Sequence, residues 1–273
     1  MRCAVLQLSA QGMSSTKLYN HIRIASREGV KVLLLGEYIL NPFFKELQTL
    51  SLSMIKEQAL HQSKILKELS STYNITIIAP LIVVKKQDIY KTVAKFSPNS
   101  TSYYQQQLLI NYSHWNEEKF FHNSIETIQA PLIFKIDGFK FAVMSGFEIH
   151  FDKMFALISS KNIDCILLPS VSTFDSFDRW KALILSRAFT NNCYILRANR
   201  IGIYEDIDYN WHFYGDSLLA SPNGDILEHL GNKEELMIVD MNHAEVVQAR
   251  RLWGFKEMIN KRQYLKKDTQ SHL

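Results

Sequence analysis

Cysteine, proline and glycine are all scarce in this 273-residue chain: three Cys, six Pro and ten Gly. So little Pro and Gly excludes collagen-like and linker-dominated chains. The cysteines at 3, 165 and 193 are odd in number and widely spaced, so they do not form a disulfide framework. Each lies in an apolar, β-rich run (Arg2-Cys-Ala-Val-Leu, Ile163-Asp-Cys-Ile-Leu-Leu, Cys193-Tyr-Ile-Leu), the setting of inert core thiols in a reducing compartment. There is no Cys-x-x-Cys and no His-Glu-x-x-His, and the nine His are scattered without ligand spacing, so no metal is expected. No stretch approaches the roughly 18 apolar residues of a spanning helix. The opening segment, Met1 to Met13, lacks the longer apolar run and the small-residue cleavage site of a signal peptide. The expectation is a cytoplasmic protein with no membrane partner.

What is there is an ordinary globular balance. Hydrophobic residues make up 47% and charged residues 21%, enough apolar surface to offset the entropy of ordering, so disorder is excluded. The net charge of +4 is concentrated at the end of the chain, where Arg250, Arg251, Lys256, Lys261, Arg262, Lys266 and Lys267 face one acid, Glu257. Such a tail could serve as a nucleic-acid arm, but no aromatic stacking platform accompanies it. The reading is a basic C-terminal extension, 251–273, that is solvated or packs on a partner subunit, with no nucleic-acid partner.

Strand and helix signals alternate along the chain. Cys3–Leu8 reads as a buried strand, followed by a helix from about Ser15 to Arg27 closed by Gly29. Val30–Leu35 is a second buried strand ending in Gly36-Glu37. A long helix is predicted over Ser51–Ser71 and a strand over Ile75–Val84. Tyr90–Phe96 and Tyr103–Ile110 pair across a turn at 97–102, and Leu132–Ile136 with Phe139–Met144 form a hairpin over Asp137-Gly138. A helix opens near Asp152. After it come the strand Asp164–Leu168, the helix Ser176–Thr190 and the strand Cys193–Ala198. Late strands fall at Asp216–Ala220, Asp225–Glu228 and Glu235–Val239. Asn242 and Glu245 form a capping box for a last helix. No composition break divides the chain, so one α/β domain over 1–250 is expected.

Sites of α/β folds gather at strand ends. Glu37, directly after Val32-Leu-Leu-Leu-Gly, is either a general base in a cleft or a strand-end residue facing water. Ser145-Gly146-Phe147-Glu148-Ile-His150 follows a buried strand. It is either a nucleophile turn, although Gly-x-Ser-x-Gly is absent, or a tight turn that needs small residues. Glu117-Glu118 is a carboxylate pair whose bare spacing fits a solvated face equally well.

Along nearly its whole length the chain resembles the carbon–nitrogen hydrolase (nitrilase) superfamily. Met1-Arg-Cys-Ala-Val-Leu-Gln-Leu resembles the family's first strand, and Leu33-Leu-Leu-Gly-Glu37 the strand that delivers its glutamate, usually after a Pro. Ser186-Arg-Ala-Phe-Thr-Asn-Asn-Cys-Tyr-Ile-Leu-Arg-Ala-Asn-Arg-Ile-Gly202 is similar to its Arg-Ala-x-Glu-Asn…Asn-Arg-x-Gly segment. Phe213-Tyr-Gly-Asp-Ser-Leu-Leu-Ala-Ser-Pro-Asn-Gly-Asp-Ile-Leu227 is similar to its Gly-x-Ser…Pro-x-Gly-x-Ile strand pair. The resemblance implies a four-layer αββα sandwich that forms a homodimer, with no metal or organic cofactor. It also implies a chemistry in which Glu is general base, Lys stabilises the oxyanion and Cys is acylated, the thioester then being hydrolysed by water. Glu37 matches the base, and a second, substrate-positioning glutamate falls on Glu117 or Glu118.

Two positions depart from the pattern. The family's Lys stands in Tyr-x-Lys-x-His-Leu; Tyr103-Tyr-Gln-Gln-Gln-Leu108 places Gln105 there, or Gln106 with a one-residue shift. The family's Cys opens Cys-Tyr-Asp/Glu-x-Arg-Phe; Gly146-Phe-Glu-Ile-His-Phe151 places Gly146 at the nucleophile, with Ser145 one residue early and His150 for Arg. Phe147, Glu148 and His150 are then candidate substrate-binding residues. Glycine offers no nucleophile and glutamine no charge, so the usual mechanism is expected to be missing. The expectation is a protein that binds a small amide-like or carboxylate ligand, or a dimeric interaction protein. The alternative is a hydrolase of a non-peptide C–N bond in a small amide, nitrile or N-carbamoyl substrate, using Glu37 with Ser145 or water.

Overall fold

The computed structural model describes residues 1–12, 16–260 and 262, the side chains of 259 and 260 excepted. In chain order the first half holds β1 (Arg2–Gln7), α1 (Thr16–Arg27), β2 (Val32–Leu35), α2 (Phe44–Leu47), α3 (Leu52–Tyr73), β3 (Thr76–Lys85), β4 (Asp88–Ser97) and β5 (Ser100–Gln105). The second half holds β6 (Leu132–Ile136), β7 (Phe139–Val143), α4 (Asp152–Ile158), β8 (Cys165–Pro169), α5 (Phe177–Asn191), β9 (Tyr194–Ala198), β10 (Ile201–Glu205) and β11 (Asn210–Tyr214). It closes with β12 (Leu218–Ala220), β13 (Ile226–His229), β14 (Glu235–Asp240), α6 (His243–Trp253) and α7 (Phe255–Asn260).

Two six-stranded mixed sheets, ordered β14-β1-β2-β3-β4-β5 and β13-β12-β9-β8-β7-β6, stack on each other. Strands buried on both faces read as continuous apolar runs, and β1, β2, β8 and β9 are buried almost throughout. Residues of one parity (Val5, Val32, Leu34, Phe141, Leu167, Leu196) fill the space between the sheets. The other parity packs on helices, Leu6, Leu33, Leu35 and Ile77 against Leu18, Ile22 and Leu66, and Ile166 and Ile195 against Met154 and Ile184. The result is a helix–sheet–sheet–helix sandwich, as the resemblance implied.

Several boundaries differ from the sequence reading. The turn between β4 and β5 spans two residues rather than six, because Ser97 and Ser100 close the ladder as direct partners. Strand β5 ends at Gln105, not at 110. The hairpin β10–β11 was not anticipated and forms a separate two-stranded ribbon. The start of the first helix near Ser15 and the tail residues Lys261, Tyr264, Lys266 and Lys267 lie outside the described residues. The described part of the extension is helical, and the rings of Trp253 and Phe255 pack on Phe189 of α5 at 5.0 and 5.3 Å. None of the described helices is long and apolar enough to cross a membrane.

Candidate active site

The site forms where β2 and β7 end and β4 begins. At the end of β2 the chain passes tightly against the Asn199–Arg200 backbone: a Cβ on Gly36 would lie 2.9 Å from the Asn199 carbonyl carbon, so only glycine fits. The next residue, Glu37, donates its backbone N–H to the Ser170 carbonyl at 3.0 Å and points its carboxylate between the sheets, with 2% of its surface exposed. Tyr38 then adopts a left-handed conformation (φ 55°), which sends its ring to the same spot.

The positive charge of the site comes from Lys91. Along β4, Ile89, Lys91 and Val93 share the parity that faces the opposing sheet, and Lys91 is buried there. Its Nζ lies 2.6 Å from Glu37 Oε2 and 2.7 Å from Glu117 Oε1, bridging the two carboxylates. Tyr38 donates its hydroxyl to the same Glu117 oxygen at 2.6 Å. Burial pushes the Glu37 carboxyl above the usual carboxylate range, with Lys91 partly offsetting the shift. Burial works against the Lys91 charge, but Glu117 and Glu37 outweigh it and its pKa ends above the ordinary lysine value. A lone buried ion is prohibitively unfavourable, whereas a cation between two carboxylates is held by both.

The pair Glu117-Glu118 separates. Glu117 is fully buried, while Glu118 is exposed and accepts from Asn111 Nδ2 at 3.2 Å. The bridge between Asn111 and Asn116 sets this facing, so Glu117 joins Glu37 and Glu118 does not. Among the three glutamines, Gln105 pairs with Thr92 and lies half-buried on the face away from the site. Gln106 has the inward parity of Tyr104, is fully buried, and donates its backbone N–H to the Lys91 carbonyl at 3.1 Å. Gln105 is therefore corrected as a site residue: of the two glutamines left open for the family's lysine, Gln106 is the one that faces Glu37. The inferred lack of a cation is corrected as well, since Lys91 on the adjoining strand supplies one.

After β7 the chain turns into a 3-10 turn, Gly146–His150. The Ser145 Oγ donates to Gln106 Oε1 at 2.9 Å and lies 3.3 Å from Glu37 Oε1. The Gly146 N–H donates to the same Glu37 oxygen at 3.1 Å. Position 146 has no room for a side chain, because a Cβ there would meet Ser170 Cβ at 2.8 Å. Ser170 is held in turn by Arg197, whose fully buried guanidinium donates to Ser170 Oγ at 3.0 Å and Ser172 Oγ at 2.7 Å.

The three residues considered for substrate binding take different places. Glu148 is buried beneath the turn and accepts from Tyr104 Oη (2.8 Å), the Gln107 N–H (2.7 Å) and the Ser145 N–H (2.9 Å), so it braces the turn. Burial pushes its carboxyl up to about 7. Phe147 is half-buried, with its ring 6.0 Å from Tyr112. His150 is exposed, 5.0 Å from the Trp180 ring, with its Nδ1 on the Phe147 carbonyl at 2.9 Å.

The three cysteines do not approach this site. Cys3 and Cys165 fill the inter-sheet core and Cys193 the layer under α5. Burial raises all three thiols, Cys193 to about 11, so none is a ready thiolate. Lys91, Tyr38, Ser170 and Arg197 were not foreseen as site residues. One signal for Lys91 was available: a lysine on the inward parity of a strand between Ile89 and Val93 requires buried carboxylate partners.

Comparison with known proteins agrees with this fold. The sequence profile described as Carbon-nitrogen hydrolase matches residues 5–251. A deaminated glutathione amidase of Synechocystis sp. is 23% identical over 84% of this chain and 86% of its own length. A 2-oxoglutaramate amidase of Bacillus subtilis is 22% identical over 68% of this chain and 69% of its own. Among solved structures, a carbon-nitrogen hydrolase from Helicobacter pylori G27 superposes with a TM-score of 0.83 at 18% identity, covering 96% of this chain and 95% of that one. An amidase from Nesterenkonia sp. superposes with a TM-score of 0.76 at 20% identity, covering 93% and 96%.

Proposed function

The chain belongs to the carbon-nitrogen hydrolase family, and from that premise we propose that it is a member that binds a small amide or carboxylate ligand without running the thioester reaction. The observation that carries this reading is Gly146. It stands where the resemblance puts the nucleophile, its N–H is taken up by Glu37, and Ser170 fills the space a side chain would need. A thioester route needs a thiolate at that point, and each of the three thiols lies in apolar core. The surviving polar groups are suited to recognition, since Glu37, Lys91 and Glu117 hold one another in place in a dry environment where hydrogen bonds to a ligand are strong. An open cavity of about 390 Å³ lined by His114, Phe174, Tyr209 and Trp211 lies nearby, separated from Tyr38 and the carboxylates by the buried ring of Phe43, which packs on both Trp211 and Tyr38. Phe174 is held there at a φ of 61°, a strained conformation of the kind found at ligand clamps.

The reading is tested by incubating the protein with small aliphatic amides, nitriles and N-carbamoyl compounds. Ammonia release and melting temperature are followed together. The expected result is a ligand-dependent rise in melting temperature without ammonia; release of ammonia by the wild-type protein would end this reading.

A second reading rests on the 3.3 Å between Ser145 Oγ and Glu37 Oε1. In it, Glu37 removes the serine proton, Ser145 attacks the amide carbon and Lys91 supplies the charge for the oxyanion; the C–N bond then breaks as ammonia leaves with the proton from Glu37, and water hydrolyses the acyl–serine ester. It requires turnover that Ser145→Ala abolishes. We further propose that the chain forms a homodimer, for which the exposed Leu252, Trp253 and Met258 on α6 and α7 offer apolar surface. Sedimentation at micromolar concentration should then give twice the chain mass, and a monomer would refute it.

A further inference from the structure

We infer that Lys91 and Gln106 have exchanged roles: the cation that the family carries on the strand of Gln106 is here delivered from the neighbouring strand β4, and positions 91 and 106 form one interchangeable pair. The inference rests on family membership and deepens the reading of the site, because it identifies the group that keeps the pocket's charge pattern. It does not depend on which ligand binds.

Three observations support it. The two residues are adjacent across the β4–β5 ladder, whose register runs from Ser97 with Ser100 to Thr92 with Gln105. Continuing that register sets Gln106 opposite Lys91, and the Gln106 N–H does donate to the Lys91 carbonyl at 3.1 Å. Both side chains point between the sheets and are buried. The Gln106 amide oxygen is linked through Ser145 Oγ to Glu37 Oε1, by contacts of 2.9 and 3.3 Å. A longer side chain from 106 would therefore arrive at the carboxylate that Lys91 now holds at 2.6 Å.

The charged and titratable groups that meet Lys91 come from several elements. Glu37 and Tyr38 follow β2, and Glu117 comes from the segment after β5. The Tyr38 ring lies 4.9 Å from the ammonium and its hydroxyl is on Glu117. Arg200 donates to the Tyr38 carbonyl at 3.0 Å, and Glu148 lies under the turn that carries Ser145. Removing the Lys91 charge leaves Glu37 and Glu117 buried without a cation. Glu37, which burial already pushes up, would then bind its proton more tightly in the folded than in the unfolded state, so stability would rise as pH falls.

The test compares wild type, Lys91→Gln and the exchange variant Lys91→Gln/Gln106→Lys by melting temperature between pH 5 and 8. Lys91→Gln is expected to lose on the order of 10 °C at pH 8, with the loss shrinking toward pH 5. The exchange variant is expected to return close to the wild-type melting curve and to its pH profile. A role confined to packing would give Lys91→Gln a pH-independent loss. If Lys91→Gln does not fold, the exchange variant still decides the matter, because the inference requires it to fold. An exchange variant no better than Lys91→Gln, or a Lys91→Gln protein that melts like wild type, would overturn the inference. Neither result touches the absence of turnover, which is read separately from ammonia release.

Discussion

Gly146 and Ser170 are in such close apposition that a Cβ added to the glycine would fall 2.8 Å from the serine Cβ and 3.0 Å from its Cα. The serine is not free to yield, because Arg197 binds its hydroxyl and the Ser170 N–H donates to the Ala198 carbonyl at 2.8 Å. The turn that would present a nucleophile is thus closed by backbone as well as by side chain.

It follows that Gly146→Cys alone does not restore a hydrolase. The expected outcome is overpacking that destabilises by about 1–3 kcal/mol, with no ammonia released. Adding Ser170→Gly should recover part of that loss and admit the thiol. Chemical denaturation of the two variants checks this, and a single Gly146→Cys variant as stable as wild type would count against the closed turn.

Gln105→Lys should be nearly silent, within about 0.5 kcal/mol, because the new ammonium would sit on the half-buried outer face. Gln106→Lys in the presence of Lys91 should be severely destabilising, since it buries a second cation beside the first. Urea midpoints of the two variants give the comparison. Equal effects would mean that the β4–β5 register is wrong.

Glu148 gives a pH signature. With its carboxyl at about 7 in the folded protein and near 4.3 in the unfolded chain, the folded state binds more protons between these values. Its contribution is complete below the unfolded pKa and is lost as pH rises through 7, on the order of 4 kcal/mol in all. Glu37 shifts in the same direction, so the difference between wild type and Glu148→Gln isolates the one group. The variant should show a flatter stability profile between pH 5 and 8, and an unchanged slope would contradict the assignment.

The cysteines should not react in the native state. Cys3, Cys165 and Cys193 are all buried, and a disulfide-exchange reagent should label none rapidly before denaturant is added. Rapid labelling of one native thiol would reopen the case for a cysteine nucleophile elsewhere in the chain.

Much of the fold was legible because both sheets are covered on both faces, which makes strands such as Val32–Leu35 and Cys165–Pro169 continuous apolar runs. The hairpin β10–β11 was not, because Gly202 and the polar residues between Glu205 and Asn210 hide its alternation. Within the site, the strand end marked Glu37 as a candidate but left a cleft base and a water-facing residue open, and the family resemblance chose between them. Gln105 and Gln106 could not be told apart in a run of identical residues, since only the length of the β4–β5 turn fixes which one faces inward. Glu117 and Glu118 posed the same problem, settled by the bridge at Asn111 and Asn116. Lys91 lies outside every motif of the resemblance, and its one signal was its inward parity between Ile89 and Val93 on a buried strand. Ser170 as an obstacle depends on a contact between the segments that follow β7 and β8, which no spacing encodes.

The most direct test of the central claim is ammonia release from a panel of small amides, nitriles and N-carbamoyl compounds by the wild-type protein, with the intact mass recorded during the incubation. The account predicts no release above a heat-denatured control and no acyl adduct. Sustained turnover with a mass increase on the protein would contradict it, and loss of both in Ser145→Ala would transfer the chemistry to the serine.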